Sequence, residues 1–235
     1  MKPFLTAEWR NLVMVNYEVD AEVLTPYLPL HTELDAFNGK LYVSLVAFHF
    51  LNTKVKGIAV PFHRDFEEVN LRFYVRYEEG QEWKRGVVFI SELVPKRMIA
   101  FVAKLLYGEK YGYTPIYSSV KETDIRSLQF SWGRDAEYSL FVDTEKKVVP
   151  LEEGSEAQFI LEHYWGYTSL RNGATSQYRV AHPSWNIYPV LDCKVNVNFE
   201  TLYGKTFGFL NHLQPTSVVV AEGSPVAVYD GKTMS

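Results

Sequence analysis

The sequence predicts a mainly β fold (α+β) in which an antiparallel sheet closes into a barrel or cone, with two or three helices. Short β-rich runs recur between turn signals along the 235 residues. Only two segments have the length and apolar pattern of a convincing helix, and they do not alternate with the strands as a parallel sheet would require. No low-complexity linker divides the chain, so we expect one domain over residues 1–235.

Turn residues predict three hairpins. Asn38 and Gly39 both tolerate positive φ and separate the apolar runs 34–37 and 41–48. Gly80 and Gly173 mark two further tight turns. The remaining predicted strands cover residues 69–77, 87–90, 116–120, 127–131, 138–142, 176–180, 194–199, 217–221 and 225–229. Their spacing favours antiparallel pairing.

Two helices are expected. The first covers residues 95–107, because Pro95 suits a first helical position and Gly108 ends the pattern. Its apolar residues occupy more than one narrow face, so we expect it to be largely buried. The second covers residues 155–165, because Ser155 and Gln158 have the spacing of a capping box and Gly166 follows as a stop.

Composition excludes several classes of function. The 24 basic and 28 acidic residues give a net charge of −4 without a basic stripe, so we expect no nucleic-acid partner. The N-terminus lacks a signal-peptide pattern, and no window approaches the roughly 18 apolar residues of a membrane span. Cys193 is the only cysteine, which excludes an internal disulfide. We expect a cytoplasmic protein with no membrane partner.

Common catalytic and metal motifs are absent from the sequence, including the serine-hydrolase elbow, the zinc H-E-x-x-H pair and the glycine-rich phosphate loops. The six histidines are well separated, so no metal site and no cofactor are predicted. His182 precedes a proline in Val180-Ala181-His182-Pro183, which indicates a rigid turn. It is a candidate ligand-binding residue, with a hydrogen bond to the loop backbone as the alternative.

The clearest candidate site is the polar face of the predicted strand 69–77 and the residues just before it. Glu68, Asn70 and Arg72 alternate with apolar residues, so a regular strand places all three on one face. Arginine suits a carboxylate ligand. Two other interpretations remain open from the residues alone: an internal ion pair between Glu68 and Arg72, and a strand face exposed to solvent.

An aromatic turn follows the first predicted helix. Tyr107, Tyr111 and Tyr113 are close together in it. Tyrosine combines a large apolar ring with one polar tip, which suits the wall of an enclosed cavity. We therefore predict that these three tyrosines bind ligand together with the polar strand face, although core packing is the ordinary role of any single tyrosine.

Several motifs occur in the order found in one known family. They are Glu68-x-Asn70-x-Arg72-x-Tyr74-Val75, Ala103-Lys104-x-x-Tyr107-Gly108, Phe159-x-x-Glu162-x-Tyr164, Val180-x-His182-Pro183-x-Trp185 and Leu210-x-x-x-x-Pro215. With them the chain resembles the YqjF-like proteins, the family called domain of unknown function 2071, from Trp9 to Tyr229. The resemblance implies the acetoacetate-decarboxylase-like fold, a mostly antiparallel barrel or cone around an internal cavity.

The resemblance also bears on catalysis. Decarboxylases of that superfamily carry a lysine that forms a Schiff base, next to a second lysine that lowers its pKa. Aligned on the aromatic-Gly pair, this chain has Lys110 at the family's proline, and Tyr111 and Gly112 at the two lysine positions. On a strand, a shift of one position reverses the face of a side chain, so Lys110 would point away from the cavity unless a bulge intervenes.

Three functional hypotheses follow. The first is a protein that binds a small organic molecule, a carboxylate for example, in a barrel cavity without a Schiff-base lysine. The second is a lyase or decarboxylase-like enzyme acting on a small keto acid through Lys110, Lys104 or Glu68, with tyrosines as proton donors. The third is a structural protein or homo-oligomer whose exposed aromatic residues form an interaction surface.

Overall fold

The computed structural model describes residues 2–59, 62–95 and 111–234, which form two β-sheets and a few short helices. The larger sheet contains β1 Leu5–Val19, β2 Glu33–Leu34, β3 Leu41–Val55, β4 Ile58–Ala59, β5 Phe66–Glu79, β6 Glu82–Val94, β7 Tyr111–Tyr113, β11 Trp165–Ser169, β12 Thr175–Ala181, β14 Ser217–Val228 and β15 Lys232–Thr233. The smaller sheet contains β8 Ile116–Glu122, β9 Arg126–Trp132, β10 Tyr138–Thr144 and β13 Val190–Asn196. The α-helices are α1 Ala21–Leu24, α2 Glu156–Leu161 and α3 Phe199–Tyr203, with 3-10 turns at Thr25–Tyr27 and Lys205–His212.

Seven strands of the larger sheet close into a ring. Going round it, β5 pairs with β3, β3 with β1, β1 with β14, β14 with β12, β12 with β11, and β11 with β6, which returns to β5. The pairs are antiparallel except β11 with β6, and β7 also joins β6 in parallel. The predicted mainly β architecture is confirmed, and the sheet is mixed rather than purely antiparallel.

Both faces of the ring are buried, which explains the high apolar content of its strands. Leu71, Phe73 and Val75 of β5 are 0% exposed and belong to a core shared with Phe130 and other residues of the smaller sheet. The alternate residues of the neighbouring strands face inward and pack with Phe159 and other residues of α2. The ring therefore has an outer core against the second sheet and an inner core that α2 helps to fill.

The predicted turns at Gly80 and Gly173 are confirmed as the connections between β5 and β6 and between β11 and β12. The Asn38-Gly39 turn also forms, and Phe37 and Lys40 exchange backbone hydrogen bonds of 3.0 and 2.9 Å across it. The hairpin expected between the runs 34–37 and 41–48 is limited to this antiparallel Phe37–Lys40 bridge, because β2, the strand before the turn, pairs with β5 instead of β3.

The predicted helix at 155–165 is confirmed in its start but is shorter. Ser155 Oγ accepts a hydrogen bond of 3.1 Å from the backbone N–H of Gln158, as expected of an N-cap. The helix ends at Leu161, because Trp165 already begins β11. The predicted helix 95–107 lies outside the described residues, apart from Pro95.

Two further expectations need correction. The predicted strand 194–199 ends as β13 at Asn196, and α3 then begins at Phe199 with Asn198 as its N-cap. The long strand β1 was not predicted, although it is central to the ring. Of the helices in the described part of the chain, none has the length and apolar character needed to span a membrane.

Candidate functional site: the cavity inside the ring

The inner side of the ring encloses a cavity of about 320 Å³, at the lower end of the usual range for small-molecule sites. Most of its wall is apolar, and aromatic rings supply a large part of it: Trp9, Phe48, Phe50, Phe66 and Phe89. The polar groups of the wall come from Thr53, His63, Glu68, Asn70, Arg72, Glu92, Tyr111, His163 and Tyr178. A few polar side chains in an apolar enclosure are typical of a site that orients a small ligand.

The polar face of β5 lines this cavity. Glu68 and Asn70 are 2% and 1% exposed, and Arg72 is partly buried beside them. They face inward because the odd-numbered residues of the strand pack into the outer core. The structure thus places Glu68, Asn70 and Arg72 together on the cavity wall and excludes the alternative of a solvent-facing strand edge.

Glu68 is held by two neighbours. Asn70 Nδ2 donates a hydrogen bond of 2.9 Å to Glu68 Oε1, and the Tyr111 hydroxyl donates one of 3.3 Å to Oε2. Burial raises the pKa of the Glu68 carboxyl to about 7, although these two bonds and the charge of Arg72 oppose the shift. Glu68 and Arg72, both within the described part of the chain, do not form an ion pair with each other. The alternative interpretation of an internal salt bridge between them is therefore wrong.

A second buried carboxylate, Glu92, enters the cavity through a β-bulge in β6. Leu71 pairs with Ser91, but the next residue, Arg72, pairs with Phe89, so Ile90 is an extra residue. The bulge reverses the alternation, and Glu92 therefore faces the same side as Phe89. Without it, Glu92 would point into the outer core.

Tyr111 stands between the two carboxylates. It pairs with Glu92 in the parallel contact between β6 and β7, and it donates to Glu68 from the same wall. Burial raises the pKa of Tyr111 well above its usual value, and the charges of Glu68 and Glu92 raise it further. The phenol therefore stays protonated and can act as a hydrogen-bond donor.

Arg72 has unused donor capacity. Its Nη2 lies 3.5 Å from Met14 Sδ and 3.5 Å from the Ile160 carbonyl oxygen, at the limit of hydrogen bonding. Its guanidinium lies 5.7 Å from the centroid of the Tyr74 ring. Its buried Nε has no hydrogen-bond partner among the described residues. Such an orphaned donor in a cavity wall is suited to an anionic ligand.

His163 forms another part of the wall and is paired with the buried Asp35. His163 Nε2 lies 3.1 Å from Asp35 Oδ2, and Arg85 Nε donates to the same oxygen at 2.7 Å. Burial alone would raise the pKa of Asp35, but the hydrogen bonds from His163 and Arg85 outweigh it and lower that pKa. Burial lowers the pKa of His163 to about 4 against the opposing effect of Asp35, and the charges of Arg85 and Arg72 lower it further.

The other predicted site residues have different positions. Tyr113 ends β7 with 47% of its surface exposed and is not among the residues that line the cavity. His182 stacks on Trp185 with ring centroids 3.9 Å apart, and its Nδ1 lies 2.8 Å from the Pro183 carbonyl oxygen. It lies beside the site rather than in its wall.

Three predicted positions fall outside the described residues. They are Tyr107, Lys104 and Lys110. No lysine lines the cavity among the residues that the structure describes. In the same part of the chain no three His, Cys, Asp or Glu side chains are grouped to hold a metal ion.

Sequence reasoning missed four functional candidates: Glu92, Asp35, His163 and Tyr178. Glu92 is hidden by the bulge. Asp35 and His163 are 128 positions apart, so only the fold joins them. A buried acidic residue inside an apolar run, as at Glu92, is the one local signal that could have been followed.

Comparison with known proteins agrees with this architecture. The profile of the DUF2071 family, described as an uncharacterized conserved protein, matches residues 6–225. The uncharacterized protein YqjF of Bacillus subtilis is 28% identical over 196 residues, which cover 82% of this chain and 78% of YqjF.

Solved structures with the same fold are more distant in sequence. Acetoacetate decarboxylase from Legionella pneumophila superposes with a TM-score of 0.67 at 15% identity, covering 100% of this chain and 88% of its own. The enduracididine biosynthesis enzyme MppR, in its complex with pyruvate, superposes with a TM-score of 0.69 at 13% identity. The match covers 100% of this chain and 92% of the MppR chain. These likenesses show an acetoacetate-decarboxylase-like fold, and the family match over most of its length shows that the chain belongs to the DUF2071 family.

Proposed function

We propose that this protein binds a small carboxylic acid inside the ring, with the guanidinium of Arg72 holding the carboxylate and the apolar wall holding the rest of the molecule. The observation that carries the proposal is the buried, unpartnered Nε of Arg72 in a largely apolar cavity. A carboxylate would complete its hydrogen bonding in a bidentate geometry.

The size and lining of the cavity limit the ligand. About 320 Å³ suffices for a small molecule, and the rings of Trp9, Phe48 and Phe50 favour one with an apolar or aromatic body. The fold neighbour MppR is seen in complex with pyruvate, itself a small carboxylic acid. This supports a small organic acid as the ligand class. The single Cys193 further favours a reducing compartment, and we propose the cytoplasm.

The proposal is tested by calorimetric titration with 3-phenylpropionate and its neutral amide. We expect the acid to bind and the amide to bind much more weakly. Arg72→Met should weaken binding of the acid roughly tenfold to a hundredfold, because a hydrogen bond to a charged group contributes about 1.5–3 kcal/mol.

Arg76→Met is the matched control, because this arginine lies on the same strand but pairs with Glu33 at 2.5 Å and stacks on Trp83, away from the cavity wall. It should leave the affinity unchanged. Equal affinity for acid and amide, or equal losses in the two arginine variants, would contradict the proposal.

A second function, proton transfer on a bound keto acid, is favoured by Glu68. A buried carboxyl with a pKa of about 7 can accept and return a proton near neutral pH, and Tyr111 is in hydrogen-bond contact with it. A lyase that depends on a lysine would first join its amine to the ketone carbon with loss of water.

Borohydride reduction in the presence of pyruvate, followed by mass spectrometry, separates a lysine-dependent lyase from the binding function. A lysine-dependent lyase would retain the reduced adduct as a secondary amine on one lysine. The binding function gives no adduct on any lysine, including Lys104 and Lys110 outside the described residues.

A further inference from the structure

Several buried polar atoms of the cavity residues have no hydrogen-bond partner in the described structure. They include the donors Arg72 Nε and Trp9 Nε1, the hydroxyl of Thr53, and the acceptors Asn70 Oδ1 and His163 Nδ1. Leaving a buried polar atom unpaired costs free energy, so native proteins rarely keep several of them in one place. A ligand that satisfies this set needs more than a carboxylate, since a carboxylate has no hydrogen to donate to Asn70 Oδ1 or His163 Nδ1.

The chemical state of His163 follows from its surroundings. Its Nε2 faces the Asp35 carboxylate, which also accepts from Arg85, so the proton of the neutral ring is on Nε2. Nδ1 then carries a free lone pair and accepts a hydrogen bond. The ring is fixed between Tyr74 and Phe159, whose centroids lie 4.7 and 4.9 Å away, so it cannot easily turn toward another partner.

The charges around His163 decide which kind of donor fits. Arg72 and Arg85 both disfavour a positive charge at this ring. A ligand ammonium group placed against Nδ1 would meet the same repulsion. A neutral hydroxyl would not, and it donates through one O–H while its oxygen can accept from nearby donors.

We propose that His163 Nδ1 accepts a hydrogen bond from a neutral hydroxyl group of the ligand, so that the cavity prefers a 2-hydroxy acid, or the enol of a 2-keto acid, over the unsubstituted acid. This inference rests on the proposed function, in which Arg72 holds the carboxylate; Arg72 and His163 line the same cavity, and each lies beside the Tyr74 ring. Asp35 acts as a positioning residue that fixes the tautomer of the histidine.

Three probes that differ only at C2 test the inference: 3-phenylpropionate, 3-phenyllactate and phenylalanine, which carry hydrogen, hydroxyl and ammonium there. We expect the wild-type protein to bind 3-phenyllactate roughly tenfold more tightly than 3-phenylpropionate, the effect of one buried hydrogen bond. Phenylalanine should bind more weakly than 3-phenyllactate.

Two substitutions of His163 distinguish the roles of its two ring nitrogens, Nε2 and Nδ1. In His163→Gln the amide group reaches the place of Nε2 and can still donate to Asp35, but no acceptor remains at Nδ1. In His163→Asn the amide occupies the place of Nδ1 and can supply an acceptor there. Within each variant the readout is the ratio of the affinities for 3-phenyllactate and 3-phenylpropionate. We expect this hydroxyl preference to disappear in H163Q and to survive in part in H163N.

A measurement on the unsubstituted protein covers the case in which a variant fails to fold. In ¹⁵N-labelled protein, the Nδ1 resonance of His163 should be that of an unprotonated nitrogen and should move upfield when 3-phenyllactate, but not 3-phenylpropionate, is added. An unchanged resonance under saturation with 3-phenyllactate would overturn the inference.

The two proposals fail in different ways. If both acids bind through Arg72 with equal affinity, or the hydroxyl preference persists in H163Q, the role of His163 is wrong and acid binding stands. Tighter binding of phenylalanine than of 3-phenyllactate also overturns it. If neither acid binds the wild-type protein, the acid-binding function itself fails.

Discussion

Glu68 lies on the inner face of β5 with 2% of its surface exposed, and burial raises the pKa of its carboxyl from an ordinary 4.5 to about 7. Between these values the folded protein holds a proton that the unfolded chain has released. The free energy of unfolding should therefore fall as the pH rises through this window, by roughly 3 kcal/mol for a shift of this size.

Glu68→Gln removes the titrating group and should flatten this part of the stability profile. The measurement is urea unfolding at pH 5, 6, 7 and 8 in both proteins. Glu78→Gln, at the exposed end of the same strand, is the control and should keep the wild-type slope. A wild-type slope retained in Glu68→Gln would show that Glu68 is not the group that titrates.

At the scale of single residues, the sequence predicted which side chains share one face of a regular strand. It did not predict the site residues whose position depends on a bulge or on contacts between distant segments. Glu68, Asn70 and Arg72 share one face because alternation is a local property of any strand. Glu92 was not predicted because the bulge at Ile90 reverses that alternation, so counting every second residue along β6 assigns it to the wrong face.

Helix α2 is the element whose N-cap can be tested most simply. It contributes Phe159, Ile160 and Leu161 to the inner core, and its first turn is tied to the ring by a hydrogen bond of 2.8 Å from the Tyr42 hydroxyl to Glu156. Ser155→Ala removes the side chain that accepts from the N–H of Gln158. We expect a loss of about 1 kcal/mol in the free energy of unfolding, measured in urea.

Ser155→Asp retains an acceptor at the same place and should restore the stability, because both residues are good N-caps. Equal destabilisation by Ala and Asp would mean that the hydroxyl acts through some other contact, such as its bond to the Glu152 carbonyl oxygen.

The pairing of β1 with β14 depends on Gly223. Its φ is +80°, and a Cβ placed there would lie 1.9 Å from the backbone oxygen of Trp9, a residue of the cavity wall. Gly223→Ala should lower the free energy of unfolding by more than about 2 kcal/mol, because the clash adds to the cost of a left-handed alanine.

Gly80→Ala is the matched control in the urea experiment. Gly80 has a similar φ of +70°, but no atom lies within 4 Å of the added Cβ. It should cost only the roughly 1–2 kcal/mol of the left-handed conformation. If the two variants lose equal stability, the close approach of β1 and β14 at this point is wrong.

At the scale of elements, tight turns and the helix start were predictable because a few residue types determine them. Gly80, Gly173 and Ser155 all act as the sequence indicates. The pairing partners of the strands were not predictable in the same way. Strand β2 pairs with β5 rather than with β3, and Asp35, just after β2, forms hydrogen bonds with Tyr74 of β5 and Arg85 of β6. Such contacts join residues about 40 to 50 positions apart.

At the scale of the whole molecule, the cavity exists because seven strands of the larger sheet close into a ring. A sheet buried on both faces requires apolar residues at nearly every position, and for that reason β1 does not show the simple alternation by which strands are recognised. The mainly β class and the family resemblance could be read from the sequence. The position of α2 against the inner core, and the Asp35–His163 contact beside it, could not, because both depend on how distant segments meet.

The central claim is that the carboxylate of a small acid binds to Arg72 inside the ring, and a crystal structure of the protein grown with 3-phenyllactate tests it most directly. We expect electron density for the acid in the cavity, with its carboxylate within hydrogen-bond distance of the Arg72 guanidinium and its ring among Trp9, Phe48 and Phe50. Density for the acid only on the outer surface, or in the cavity with its carboxylate turned away from Arg72, would contradict the claim.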